Sequence, residues 1–326
     1  MAAGPDEFDL IYRYFDWPPG QPEVALAVGD DAAILQPLPG QQLVIGTDML
    51  IAGRHFPEST HPEVVAHKAL AVNLSDLAAM GAVPLAFTLS LGLPGSDKSW
   101  LERFSRELQH AARHWGCDLV GGDTVRAPQL TLSITAFGVV PIGEALRRSG
   151  AGAGDRLAVT GTIGDAALGL ALALDEEGGP SGLSDTDRAY LLDRLERPQP
   201  RLATGQVLRR QASAGLDVSD GLLQDLGHLL VASGLAAEID LDAIPLSAAA
   251  GRWLDARPGD LERLIAGGDD YELIVALPVE CSIDPAWGLT VIGHLTDDWP
   301  VGDIRERRGR PLPGQRGYNH FREPGA

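Results

Sequence analysis

The sequence predicts an α/β protein of two domains, α+β-like in architecture, and three observations carry that prediction. Helix-spaced and strand-spaced apolar patterns alternate along the chain. Its 326 residues suit two domains at about 150 residues each. A Gly-rich, basic stretch at 143–154 separates two such alternating runs and sets a boundary near residue 145, giving domains 1–145 and 146–326.

The elements follow in order. Residues 43–47 read as a strand, and His61-Pro62 opens a helix carrying Val64, Val65, Ala69 and Val72, with proline in its first turn. Residues 85–91 are strand-like. From Trp100, apolar residues recur at Leu101, Phe104, Leu108, Ala111 and Trp115, one helical stripe that Gly116 stops. Residues 130–140 alternate and contain Thr, Ile, Phe and Val, the pattern of a strand. Beyond the boundary, strands are expected at 156–160, 237–241, 271–277 and 289–292, and helices at 165–174, 184–195, 201–212 and 222–233. Residues 302–326, rich in Gly, Pro and Arg, are expected to form an extended tail.

Composition narrows the function. The net charge is −19, which would repel duplex nucleic acid and anionic membranes but attract cations. The two cysteines, Cys117 and Cys281, form neither a disulfide framework nor a thiolate zinc site. The longest apolar run, 166–174, is far below the roughly 20 residues that span a bilayer. With no basic-then-apolar leader at the N-terminus, a cytoplasmic location is expected.

The chemistry lies in the placement of aspartates. Asp30 and Asp31 follow Gly29, Asp48 follows Thr47 at a strand end, and Asp76 follows Ser75. Asp123 follows Gly121-Gly122, Asp217 and Asp220 flank Val218-Ser219, and Asp269-Asp270 follow Gly267-Gly268. Any one of these is ordinary turn or capping chemistry. Together they bring carboxylates to the ends of buried elements, where convergence raises each pKa unless a cation neutralises them. Oxygen ligands select a hard ion such as magnesium, which shares its shell with water and substrate phosphates. A weak echo between 72–77 and 216–221, each with Ser-Asp beside a helical pattern, hints at two related half-sites. His110 and His114 have metal-ligand spacing but no glutamate beside them, and read as a solvated helix face. Neither a GxGxxG fingerprint nor a Gly-Lys-Ser/Thr phosphate loop is present.

Taken in order, Val28-Gly29-Asp30-Asp31-Ala32-Ala33, Thr47-Asp48, Gly53-Arg54-His55-Phe56, the run from Lys68 to Ala82, Gly121-Gly122-Asp123-Thr124, Arg148-Ser149-Gly150, Asp217-Val218-Ser219-Asp220-Gly221-Leu222 and Gly268-Asp269-Asp270-Tyr271-Glu272-Leu273 strongly resemble the thiamine-monophosphate kinase family. The resemblance runs from about residue 25 to Phe321. That family lies in the aminoimidazole-ribonucleotide synthetase superfamily, which implies N-terminal and C-terminal domains of that type and a homodimer formed through the N-terminal domain. The implied reaction joins ATP and thiamine monophosphate to give thiamine diphosphate and ADP, the last step of thiamine diphosphate biosynthesis. The resemblance implies that Asp30, Thr47, Asp48, Asp76, Asp123, Asp217 and Asp220 hold several Mg2+ ions. It implies that Gly122, Asp123, Arg148 and Ser219 contact ATP, while His55, Asp269 and Tyr318 contact thiamine monophosphate. No covalent nucleophile is implied. Two positions depart from the family pattern: Gly46 replaces a frequent Ser, and Asp269 replaces the more usual Glu.

The rivals fit less well. Selenophosphate synthetase would want a reactive Cys in residues 1–29, and the hydrogenase maturation dehydratase a Cys-bearing tail; this sequence has neither. A passive cation binder would draw its ligands from one contiguous loop, and a two-metal phosphatase would release free phosphate.

Overall fold

The computed structural model describes residues 7–174, 182–312 and 317–318, and the chain divides into two compact units. The first comprises 1–77 and 82–145, the second 78–81 and 146–326.

In the first unit, α1 (Glu7–Tyr14) precedes a two-stranded ribbon, β1 (Val24–Leu26) and β2 (Ile34–Leu35). Then come β3 (Gln41–Ile51), α2 (Pro62–Ala79), β4 (Val83–Leu93), α3 (Lys98–Trp115), β5 (Asp118–Arg126) and β6 (Thr131–Pro141). The strands form one sheet in the order β3-β6-β4-β5, antiparallel except for the β4–β5 pair. Helix α2 has no solvent-facing polar stripe: nearly every residue on it is buried, the polar His67, Lys68, Asn73 and Ser75 included. Helix α3 carries the expected stripe: Leu101, Phe104, Leu108 and Ala111 are buried, Asp97 caps its start and Gly116 ends it with φ 64°.

The sequence reading missed α1 and β5. Gly121-Gly122 reads as a turn, yet a strand runs through it, and at Gly122 β5 lies so close to β4 that no side chain fits. A Cβ on Gly122 (φ 154°) would lie 1.8 Å from the Leu89 carbonyl oxygen. A bulge, with Phe87 opposite Leu119 and Thr88 opposite Gly121, accompanies this approach.

The second unit contains β7 (Arg156–Thr160), α4 (Asp165–Ala173), α5 (Asp185–Glu196), α6 (Leu202–Leu208), β8 (Ala214–Asp217), α7 (Leu222–Ser233) and β9 (Ala236–Ile239). It continues with α8 (Ala248–Asp255), α9 (Leu261–Ile265), β10 (Leu273–Leu277), β11 (Leu289–Thr296) and β12 (Ile304–Glu306). Its six-stranded sheet has the order β12-β9-β11-β7-β10-β8 and is antiparallel apart from β12–β9. Leu216, Val218, Leu222, Leu226, Leu230, Ile239 and Ile274 are among the side chains of its main core.

Three expectations are corrected here. The strand expected from residue 271 starts at Leu273, because Tyr271 has φ 51° and cannot continue a ladder. The helix expected at 201–212 is shorter, Leu202–Leu208. Part of the expected tail is a strand: β12 pairs in parallel with β9. Among the described residues, no helix is long and apolar enough to cross a membrane.

Candidate active site

In the first unit, the alternation of β3 sorts its residues by face. Leu43, Ile45, Thr47 and Met49 are exposed, whereas Gly46 and Asp48 are half-buried. Gly46 lies against Asp76 of α2: a Cβ there would be 3.2 Å from Asp76 Oδ2. The departure at Gly46 thus removes a side chain from beside a candidate metal ligand. Asn73, one turn before Asp76, is 1% exposed; its Oδ1 accepts from the Asp48 N–H at 3.0 Å, and its Nδ2 donates to the Ala69 carbonyl at 2.9 Å. This amide ties β3 to α2 beside Asp48 and Asp76. The Thr47 hydroxyl lies on the opposite face and donates to the Ile134 carbonyl at 3.0 Å, so the sheet does not bring it to the Asp48 side.

Asp30 and Asp123 line one cleft of about 630 Å³. Gly29, Asp31, Gly121, Gly122 and Thr124 share its wall, and Ile11, Tyr12 and Phe15 close an apolar end. Asp30 accepts from the Asp31 N–H at 2.8 Å. His55 follows the end of β3, where its Nδ1 accepts from the Ile51 N–H at 3.0 Å, which places the proton of the neutral ring on Nε2.

In the second unit, the turn after β8 gathers most of the remaining candidates. Asp217 ends the strand at 5% exposure. The Ser219 carbonyl accepts from the Asp269 N–H at 2.8 Å, and the Asp220 carbonyl from the Tyr318 N–H at 2.9 Å. Asp269 has φ 69°, and its Oδ1 accepts from the Tyr271 hydroxyl at 3.0 Å. A Cβ on Gly268 would lie 2.3 Å from the Ser219 carbonyl oxygen, so this crossing requires glycine. Arg148 is exposed, and its carbonyl accepts from the Ser233 hydroxyl at 2.9 Å.

Three supporting residues have no role in the sequence reading, Asp225 because nothing marks it there, and Asp270 and Glu272 because they stand there only within a motif. Buried Asp225 accepts the N–H groups of Ser219, Asp220 and Gly221 on one oxygen, at 2.9, 3.0 and 3.2 Å. Burial pushes its carboxyl up to about 7, and the Asp217 and Asp220 charges push the same way, against the hydrogen bonds it receives. Asp270, 1% exposed, accepts from the Gly164 and Ala166 N–H groups at 2.8 and 3.4 Å, and burial raises it well above the usual carboxylate range. Glu272 is fully buried between Arg194 (2.8 Å), Arg201 (2.6 Å to Nε) and the Thr160 hydroxyl (2.6 Å). Only the Asp-Asp-Tyr-Glu run itself signalled this network, because its partners lie 71 to 112 residues away.

The donors fit a hard divalent cation: the candidate ligands are all oxygen, and Asp76 lies against Gly46, two residues before Asp48 on β3. Among the described residues, no three His, Cys, Asp or Glu stand close enough to hold a metal by themselves.

Comparison with known proteins identifies the family. The family models for AIR synthase related protein match residues 29–140 (N-terminal domain) and 152–302 (C-terminal domain). The chain is 44% identical to the thiamine-monophosphate kinase of Salmonella typhimurium, covering 99% of this chain and 100% of that one. It is similar to the crystal structure of thiamine-monophosphate kinase from Stenotrophomonas maltophilia, with 41% identity, coverage of 88% of this chain and 92% of that one, and TM-score 0.80. It is also similar to AaThiL complexed with AMPPCP and TMP, with 31% identity, coverage of 90% and 92%, and TM-score 0.79. With both domain types matched and the whole length shared, the chain belongs to the thiamine-monophosphate kinase family.

Proposed function

We infer that this protein is an ATP-dependent kinase that phosphorylates thiamine monophosphate to thiamine diphosphate, releasing ADP. One observation carries this reading: full-length similarity to proteins of that name, including a structure that holds AMPPCP and TMP together. AMPPCP mimics ATP with an uncleavable β–γ bridge, so that relative holds a donor analogue together with TMP. The acidic, glycine-walled cleft of the first unit suits a polyphosphate that arrives with its cations.

We assign Asp30, Asp48, Asp76 and Asp123 of the first unit, and Asp217 and Asp220 of the second, to Mg2+. Thr47, whose hydroxyl faces away, could join them only through its main-chain carbonyl. Bound Mg2+ would neutralise the phosphate oxygens so that two anionic substrates can meet. Gly122, whose main chain lines the cleft, and Asp123, Arg148 and Ser219 serve ATP; His55, Asp269 and Tyr318 serve thiamine monophosphate.

The transfer proceeds in line, with no phosphoenzyme. Cys117 is fully buried and its thiol is held far above the ordinary range by desolvation and by Asp118. The Nδ1 of His55 is occupied by the Ile51 N–H. Aspartates that carry the cation are not free to attack.

The exposed side chains of β3, Leu43, Ile45 and Met49, at 42%, 58% and 53% exposure, support a homodimer through the first unit. Light scattering at micromolar concentration gives a dimer mass if this is so, and a monomer mass refutes it. The cytoplasm is the compartment that fits these substrates.

The activity is tested by incubating the protein with ATP, magnesium and thiamine monophosphate and separating the products. Equal amounts of thiamine diphosphate and ADP are expected. Free phosphate in place of thiamine diphosphate would mean a phosphatase.

A further inference from the structure

The first turn of α7 carries two polar side chains, Gln224 and Asp225, to which neither the family resemblance nor the proposed reaction gives a role. A helix start leaves N–H groups without helical partners, and here the N-cap is Gly221, which has no side chain to serve them. Nor could it have one: with φ 131°, a Cβ on Gly221 would lie 2.9 Å from the Ala266 carbonyl oxygen. Asp225 reaches back instead, and its Oδ2 takes the three consecutive N–H groups of Ser219, Asp220 and Gly221.

The carbonyl edge of the same turn holds the substrate-side residues, Asp269 on Ser219 and Tyr318 on Asp220. Gln224 closes the arrangement. Its Nε2 donates to Asp220 Oδ2 at 3.0 Å and to the Tyr318 carbonyl at 2.9 Å. One side chain therefore fixes the N–H edge of the turn, and its neighbour links a candidate metal-binding carboxylate to a candidate substrate-binding segment.

We propose that Asp225 and Gln224 are positioning residues: Asp225 sets the turn that presents Ser219 and Asp220, and Gln224 couples the Asp220 carboxylate to Tyr318, so that cation binding and acceptor binding are set together. The inference rests on the reading of the site given under Proposed function. A carboxylate that merely capped a helix would affect stability alone.

The test uses the full-length protein as wild type, Asp225→Ala, Asp225→Asn and Gln224→Leu. Without substrates, hydrogen exchange of the Ser219, Asp220 and Gly221 amides should be slow in the wild type, faster in Asp225→Asn and fastest in Asp225→Ala, because the Asn oxygen still accepts but lacks the charge. In turnover, Asp225→Ala should raise the magnesium concentration for half-maximal rate by about tenfold or more, the range for residues that orient metal ligands, and Asp225→Asn should recover part of that loss. Gln224 is half-exposed, so its leucine variant should fold even if Asp225→Ala does not. It should raise KM for thiamine monophosphate by about tenfold, with KM for ATP unchanged and kcat within about threefold. Unchanged exchange in Asp225→Ala, or an unchanged KM for thiamine monophosphate in Gln224→Leu, overturns the proposal. If the wild-type protein makes no thiamine diphosphate, the functional reading fails instead, and the exchange experiment still decides whether Asp225 holds the turn.

Discussion

The two units hold their carboxylates by different means. In the first, Asp30 and Asp123 are exposed in an open cleft, and backbone geometry places them: a strand through Gly122 pressed onto β4, and a turn at Gly29 with φ 119°. In the second, buried carboxyl groups hold the surrounding backbone: Asp225 takes three N–H groups of the turn, Asp270 two at the start of α4, and Glu272 pairs with Arg194 and Arg201, all three under 5% exposed. Placement by backbone leaves a carboxylate available to a cation and makes it replaceable without loss of fold. Placement by buried carboxyl groups makes the same region costly to alter, since removing one leaves buried N–H groups, or at Glu272 a buried ion, without a partner. Activity and stability should therefore separate in the first unit and fall together in the second.

The largest effect is expected at Asp123. Asp123→Asn keeps the shape of an exposed residue but loses the charge, so turnover under limiting magnesium should fall by about a thousandfold while the melting temperature barely moves. Wild-type turnover in that variant would remove Asp123 from the site.

In the second unit, Glu272→Gln leaves Arg194 and Arg201 facing a neutral amide. A loss of about 3–5 kcal/mol is expected, seen as a lower urea midpoint with an unchanged slope. A smaller loss, about 1–3 kcal/mol, should follow Gly122→Ala, because the new methyl group forces β5 away from the Leu89 carbonyl. Here turnover should drop by more than the stability change explains. Equal stability and activity in this variant would contradict the account of the first unit.

The smallest effect concerns pH. Asp270 has a raised pKa in the folded protein, so above about pH 4 the folded chain holds a proton that the unfolded chain has released, and stability falls as pH rises through that window. Asp270→Asn cannot ionise and has one acceptor oxygen, which keeps the short bond from the Gly164 N–H, while the longer contact from Ala166, made to the other oxygen, is lost. Its stability should lie within about 1 kcal/mol of wild type at pH 7 and lack the downward slope. Parallel wild-type and variant curves between pH 4 and 8 would show that Asp270 is not the source of the slope.

How much of this was legible in the sequence depended on the range of the interaction. The α3 stripe and its Gly116 stop, the paired aspartates and the Gly-Asp-Asp-Tyr-Glu run are local patterns with local causes, and they were readable. Strand β5 was not, because Gly121-Gly122 reads as a turn unless a neighbouring strand is known to exclude a side chain at Gly122. Tyr271 reads as a strand residue on propensity alone, but it takes a positive φ, 51°, and the strand begins only at Leu273. Glu272 depends on Thr160, Arg194 and Arg201, which only the fold brings to it. Asp225 stands four residues past Gly221 in an ordinary amphipathic helix, and nothing in that spacing marks it as the residue beneath the turn.

If, as proposed, the site aspartates hold cations and do not attack, the phosphoryl group passes directly from ATP to thiamine monophosphate. ATP made chiral at the γ-phosphorus tests this in one measurement, read in the thiamine diphosphate formed. Inversion of configuration is the predicted result, since one in-line displacement inverts the centre. Net retention would require a second displacement, and so a phosphorylated enzyme, and would contradict the account.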